Sequence, residues 1–266
     1  MPPLAHFLIS NFGWQIAFAG LGSLVLLIVA TVTLALVRSR PEDMGLLPDG
    51  GPRLSGEPAG DPSRESRQEV ATEGLSLAES VRTSAFWVLS LANVLWSFGS
   101  MSIIGHLPAF LTDQGFEKLA AGSLSMAIGC SVVGRLSFGI LSDRFTKKRI
   151  MSLTLILHAL AVLCLFRVHS FWAIPAFVIL FGLGLGGGSV LVPLLIGEYF
   201  GLRAFGKVVG VITISSTLGA ATGPVVTGRI FDVMGSYDLA FTLHIASFLA
   251  AGTAIYVLRK PGAASS

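Results

Sequence analysis

Seven apolar blocks, separated by polar stretches of very unequal length, make up most of this chain. No charged residue occurs from Phe12 to Val37, and that run stops sharply at Arg38 and Arg40-Pro41. Six further blocks cover roughly residues 85–111, 119–142, 150–166, 171–196, 208–228 and 239–258. Each is about 17 to 27 residues long, which is what a tilted helix needs to cross a hydrocarbon core of about 30 Å. Strands are not expected, because an open sheet edge in lipid leaves backbone groups unpaired and the alternation of a barrel is missing. The pattern predicts an all-α membrane protein with seven transmembrane helices.

The polar stretches refine this. Residues 1–12 carry no Lys or Arg, so a basic signal-peptide start is absent, and the run from Leu4 to Ile9 is too short to span. Residues 41–75 are rich in Pro, Gly, Ser and charge without apolar periodicity, the signature of a flexible linker. Ser76 to Arg82 reads as a short amphipathic lead-in with Glu79 and Arg82 turned to water.

Composition agrees with a lipid solvent: 53% of the 266 residues are hydrophobic and 12% charged, against about 25% charged in soluble domains. The net charge of +3 suggests nucleic acid only superficially, since the basic residues flank apolar blocks and form no continuous stripe. Counted by alternate loops, one side holds Arg38, Arg40, Arg53, Arg64, Arg67, Arg82, Arg144, Lys147, Lys148, Arg149, Arg203, Lys207, Arg259 and Lys260; the other holds Lys118, Arg167 and Arg229. The positive-inside rule then predicts a multi-pass protein of the plasma (inner) membrane with its amino terminus outside and its carboxyl terminus in the cytoplasm. Cys130 and Cys164 lie in apolar blocks without C-x-x-C spacing and read as packed thiols. No metal site, cofactor or catalytic residue is expected, because H-E-x-x-H, G-x-S-x-G and paired intramembrane carboxylates are all absent.

The one basic residue left over is Arg135, eight residues before Asp143 and therefore ~12 Å along the helix. A guanidinium does not lose its proton in proteins, and placing one at a helix centre costs about 2.5 to 3.5 kcal/mol on insertion scales. A partner or a wet cavity is expected. Its neighbours one and two turns away, Ser131, Gly139 and Ser142, suggest a small polar face, and arginine's fork is the grip best suited to a carboxylate. Thr213, Ser216, Thr217 and Thr222 are expected to line a pathway on the sixth block of the chain. His106, followed by Pro108, is a candidate proton site, since histidine changes charge near neutral pH; an ordinary interfacial histidine is the plainer alternative. His158 and His244 are lone residues on apolar faces. Gly182-Leu183-Gly184-Leu185-Gly186-Gly187-Gly188 contains a literal G-x-G-x-x-G, but in an apolar block it points to close helix packing, as do Gly219-x-x-x-Gly223-Pro224-x-x-x-Gly228.

The first and last blocks share an opening, Gly13-Trp14-Gln15-Ile16-Ala17-Phe18 and Gly235-Ser236-Tyr237-Asp238-Leu239-Ala240-Phe241. Both read as Gly followed by aromatic-x-x-Ala-Phe, which implies a six-helix period of the kind seen in transporters built from parallel repeats. The run Gly139-Ile140-Leu141-Ser142-Asp143-Arg144-Phe145-Thr146-Lys147-Lys148-Arg149 resembles the basic turn motif of the major facilitator superfamily, with Thr146 where that motif prefers glycine. Arg40-Pro41-Glu42-Asp43-Met44-Gly45-Leu46 resembles the connection between its halves. Gly134-Arg135, Glu198-Tyr199-Phe200-Gly201 and Gly223-Pro224-x-x-x-Gly228-Arg229-x-x-Asp232-x-x-Gly235-x-Tyr237 resemble monocarboxylate transporters. The resemblance implies helices six to twelve of a twelve-helix fold: residues 1–40 as the last helix of the first half, 41–80 as a cytoplasmic linker, 81–260 as a six-helix second half and 261–266 as a tail. It implies secondary transport of a small organic anion with substrate contact at Arg135; the aspartate that relays protons four residues earlier in that subfamily is Ser131 here. The partners implied are the anion, the bilayer and a missing amino-terminal half or a second copy. A heptahelical receptor or sensor, opposed by the helix echo and by the lack of Lys in the last span, and an inactive membrane fragment are the alternatives.

Overall fold

The structure is a computed structural model that describes residues 3–36 and 74–260. The chain divides into two units, Met1–Glu69 and Val70–Ser266. The linker expected over 41–75 lies, but for its last two residues, outside the described residues, as does the tail at 261–266.

In the first unit one long helix, α1, runs over Pro3–Leu36. Leu4–Ile9, too short a run to span by itself, is helical and belongs to the ten residues of α1 that precede Gly13. The break falls at Gly13, whose φ of 79° and ψ of 162° interrupt the helix at a conformation that residues with a Cβ avoid.

The second unit contains α2 (Leu77–Val81), α3 (Ser84–Asp113), α4 (Glu117–Arg144), α5 (Lys147–Leu165), α6 (Ala173–Phe200), α7 (Phe205–Met234) and α8 (Asp238–Tyr256). With α1, the described residues contain seven helices long and apolar enough to cross a membrane. Short helix α2 is defined by its cap: the Ser76 hydroxyl accepts from the Glu79 N–H at 3.3 Å while the Glu79 carboxylate accepts from the Ser76 N–H at 2.7 Å. Glu79 and Arg82 are exposed, as expected. Ahead of it Leu75 N–H donates to the Phe200 carbonyl at 2.8 Å, fixing the chain against the end of α6. Two residues, Phe145 and Thr146, join α4 to α5. Thr146 has φ −60° and ψ 118°, an extended conformation any residue adopts, so the turn closes without glycine.

The helices associate as pairs: α3 with α7, α4 with α6, and α5 with both α6 and α8. Lipid tails are as apolar as leucine, so burying apolar surface between helices brings little advantage, and close approach at small residues drives association instead. Helix α6 shows this plainly. A Cβ on Gly186 collides with the Ser131 carbonyl of α4, one on Gly184 comes 2.6 Å from His158 Nδ1 of α5, and one on Gly188 comes 2.7 Å from the Trp96 ring of α3. Gly219 and Gly223 of α7 likewise meet the carbonyls of Val94 and Phe98 on α3. The G-x-G-x-x-G run is thus a packing surface. Phe177, Phe181, Leu191 and Leu195 of α6 fill the centre with Leu155 of α5 and Phe248 of α8. Helices α5 and α6 are about half buried along their most apolar stretches, whereas α4 and α7 are only about one-fifth buried along theirs. Both α4 and α7 therefore turn most of their surface away from this unit.

Gly186→Ala should lower thermal stability in detergent by about 1 to 3 kcal/mol, because a backbone carbonyl cannot step aside, while Gly122→Ala, with nothing within 4 Å, should be neutral. The backbone and hydroxyl bonds from Ser76 hold the Glu79 carboxyl below its usual range. A depressed pKa means that the cap stabilises α2 above the ordinary carboxylate range and is lost as pH falls through the lowered value. Acid-induced exchange at the Ser76 and Glu79 amides should show this, and Glu79→Gln should remove the pH dependence.

Candidate functional site

Helix α4 presents one narrow stripe to α6: Ala120, Ser123, Ala127, Ser131, Phe138 and Ser142 are all buried. Gly134 belongs to it, its missing Cβ leaving room for Leu183 of α6. Arg135 is the next residue, and its side chain leaves the stripe and is exposed. Val132, Val133, Leu136 and Ile140 are exposed around it. Among the described residues Arg135 has no salt-bridge partner; the ion pairs found there lie elsewhere. A bare guanidinium stands on apolar surface roughly 12 Å from the basic end of a 28-residue helix. Ser131 does not join it. The Ser131 hydroxyl donates to the Ile128 carbonyl at 2.6 Å, that of Ser142 to the Gly139 carbonyl at 2.7 Å, and both side chains are covered by α6. The continuous polar face expected from Ser131 to Ser142 is split.

The α7 hydroxyls lie on the helix surface that α3 leaves uncovered. Only Val208, Ile212, Gly219, Gly223 and Thr227 of α7 are buried, a single stripe against α3. Thr213, Thr217 and Thr222 are exposed and Ser216 half-buried. Ser216 and Thr217 both donate to the Thr213 carbonyl, at 2.7 and 3.0 Å, and Thr222 to that of Leu218 at 2.7 Å. Arg135 and these hydroxyls thus stand on different helix pairs, each on an outward surface. Hydroxyls and a guanidinium on such surfaces are poor company for lipid tails but suit a wet path or another polar protein face.

His106 sits between α3 and α7, half-buried. Its Nε2 lies 3.0 Å from the Pro224 carbonyl and its Nδ1 3.4 Å from the Tyr237 hydroxyl. The other two membrane histidines have partners that sequence reading could not see. His158 donates from Nδ1 to the Thr154 carbonyl at 2.8 Å and accepts from Trp96 Nε1 at 3.3 Å, so it is neutral, satisfied and structural. His244 shares a 3.0 Å hydrogen bond with Thr227 through Nε2, and its Nδ1 is buried without a partner. Apart from the Thr154 carbonyl, one turn from His158, these partners lie 17 to 131 residues away, so no signal local in sequence finds them.

The basic turn is a tie as well as a flank. Lys147 and Lys260 both pair with Glu198 at the end of α6, each at 3.3 Å, and Lys148 donates to the Leu258 carbonyl at 3.1 Å. Asp143, Arg144 and Arg149 are exposed, and Gly139 is half-buried, with Val190 at ordinary contact distance from where its Cβ would be. Cys130 and Cys164 are free thiols, and among the described residues no group of His, Cys, Asp or Glu is arranged to hold a metal.

Comparison with known proteins places this geometry in context. The sequence profile of the Major Facilitator Superfamily matches residues 1–138 and 130–266, which is the whole chain. Monocarboxylate transporter 11 of Mus musculus is 29% identical over 97% of this chain and 55% of its own length. Monocarboxylate transporter 2 of Rattus norvegicus is 25% identical over 97% and 53%, and the MFS transporter asaE of Aspergillus flavus 25% over 94% and 51%. These relatives are transporters, not enzymes, and the chain spans about half their length.

Glu198→Gln should leave Lys147 and Lys260 without a counter-charge and loosen the end of α8. The three groups are partly exposed, which limits the expected loss to about 1 kcal/mol. Thermal unfolding at low and high salt should show a difference from the parent that shrinks as salt rises.

Proposed function

The chain belongs to the Major Facilitator Superfamily, and we propose that it carries part of a secondary transporter that moves a small organic anion, a monocarboxylate, by alternating access. The observation that carries the proposal is Arg135, deep in α4, exposed, and unpaired among the described residues. A fixed positive charge there is costly unless something pays for it, and a carboxylate taken up in a two-pronged grip fits both its charge and its shape. Likeness to monocarboxylate transporters over nearly the whole chain supports the same substrate class.

On this reading the exposed surfaces of α4 and α7 border the substrate path, with Thr213, Ser216 and Thr217 offering hydroxyls along it. Ser131 supports Arg135 only by letting α6 approach. The opposite wall comes from a six-helix unit equivalent to α3–α8, supplied by the other half of the transporter or by a second copy. Residues 81–260 act as one half of the fold, and the basic flanks support an orientation with the turn at Asp143–Arg149 in the cytoplasm of the plasma (inner) membrane. His106 supports coupling to protons.

Uptake of labelled butyrate into proteoliposomes tests the anion grip. Arg135→Ala should reduce it at least tenfold, and Arg135→Lys should restore only part, since an ammonium keeps the charge and loses the fork. Butyramide, which has the shape without the charge, should not compete. Parent-like butyrate uptake by Arg135→Ala would remove Arg135 from the site.

A further inference from the structure

The contact of His106 with two other helices fixes more than its position. A backbone carbonyl only accepts, so the 3.0 Å contact with Pro224 requires the proton on Nε2. In the neutral ring Nδ1 is then a bare lone pair, turned to the Tyr237 hydroxyl at 3.4 Å. The ring rests on a seat that the α7 sequence provides. Pro224 offers its carbonyl, and Gly228, one turn on, lies alongside the ring, where a Cβ would make an ordinary 3.5 Å contact with His106 Cε1. Pro224 also has no N–H, so the Ala220 carbonyl one turn earlier loses its helix bond, and α7 is weakened just ahead of the contact. Tyr237 is itself held, stacked on Phe231 at 4.4 Å and edge-on to Phe110 at 5.6 Å.

We propose that His106 is a proton-binding site that ties α3 to α7 beside its proline, taking its proton at Nδ1 while Nε2–H keeps hold of the Pro224 carbonyl. The step is simple to balance. A proton carried by hydronium adds to the Nδ1 lone pair and leaves water behind, while the Tyr237 hydroxyl gives up its hydrogen bond to Nδ1 and turns from donor to acceptor. The imidazolium then makes a charge-assisted bond to Pro224, roughly twice as strong as the neutral one, so the tie tightens when the proton binds. Tyr237 touches the ring, His244 of α8 lies within electrostatic reach of it and Asp113 and Asp232 within reach of Tyr237, Arg229 follows Gly228 in α7, and Glu117 and Lys118 open α4. Glu79 and Arg82, beside α2, lie at the opposite end of α3. This deepens the transport reading by naming the site of coupling, and rests on that reading only for its use in transport.

The test therefore needs no transport. The 266-residue chain, labelled with 15N-histidine in lipid nanodiscs, should show His106 neutral with its proton on Nε2 at high pH and doubly protonated as pH falls. Amide exchange at Val225 to Gly228, corrected for its intrinsic pH dependence, should slow roughly fivefold on protonation, as a gain of about 1 kcal/mol implies. His106→Gln keeps an N–H for Pro224 and cannot titrate, so its α7 exchange should not respond to pH. Tyr237→Phe should keep the Nε2–H tautomer while altering the response. Unchanged circular dichroism would show that both variants fold. A neutral ring carrying its proton on Nδ1, or a pH response of α7 surviving in His106→Gln, would overturn the proposal, whatever the uptake experiments with Arg135 give.

Discussion

The glycines of α6 set the terms for the rest of this unit. In a solvent as apolar as the side chains, helices stay together through dense contact and backbone approach, and α6 achieves that with α3, α4 and α5 at once through Gly188, Gly186 and Gly184. Each of these positions brings a neighbouring backbone or ring to where a methyl group would be. Because α6 takes so many neighbours, α5 and α6 form the buried centre and α4 and α7 are left at the flanks with one stripe each engaged. The polar residues on their remaining surface follow from that arrangement, since only surface not committed to packing is free to meet a solute.

The same economy separates side chains that are neighbours on a helical wheel. Ser131 and Arg135 differ by one turn of α4, yet the serine is covered by α6 and bonded to its own helix while the arginine extends into the open. A hydroxymethyl group fits under a helix that glycines have brought close. A guanidinium on three methylenes does not, and it projects past the contact instead.

Much of this was legible in the sequence. The apolar blocks located all seven long helices, most of them to within a few residues at each end, because a hydrocarbon core imposes one length on every span. The glycine run was correctly separated from a nucleotide loop, since its apolar context left packing as its use. What the sequence could not reveal depended on distance along the chain. His106 meets Pro224 and Tyr237 across 118 and 131 residues, and His158 meets Trp96 across 62, so each looked solitary. The helical start of α1 was not legible for another reason: a span criterion counts apolar residues between charges and cannot see a helix that continues past a broken residue such as Gly13. Ser131 lies under α6 rather than beside the Arg135 side chain, because spacing reports direction from the helix axis and not how far a side chain reaches.

The two-residue turn at Phe145 and Thr146 gives Arg135 a lever arm. Lys147 and Lys148 clamp the start of α5 to Glu198 and to the Leu258 carbonyl, so the junction of α4 and α5 is a fulcrum rather than a hinge that floats with the helices. Arg135 lies roughly 12 Å from it, and each 10° of tilt in α4 sweeps the guanidinium through about 2 Å. A displacement of that size at the guanidinium exceeds the few tenths of an ångström that the hydrogen bonds of the proposed two-pronged grip would tolerate. Fine adjustment of the turn is therefore magnified at the charge.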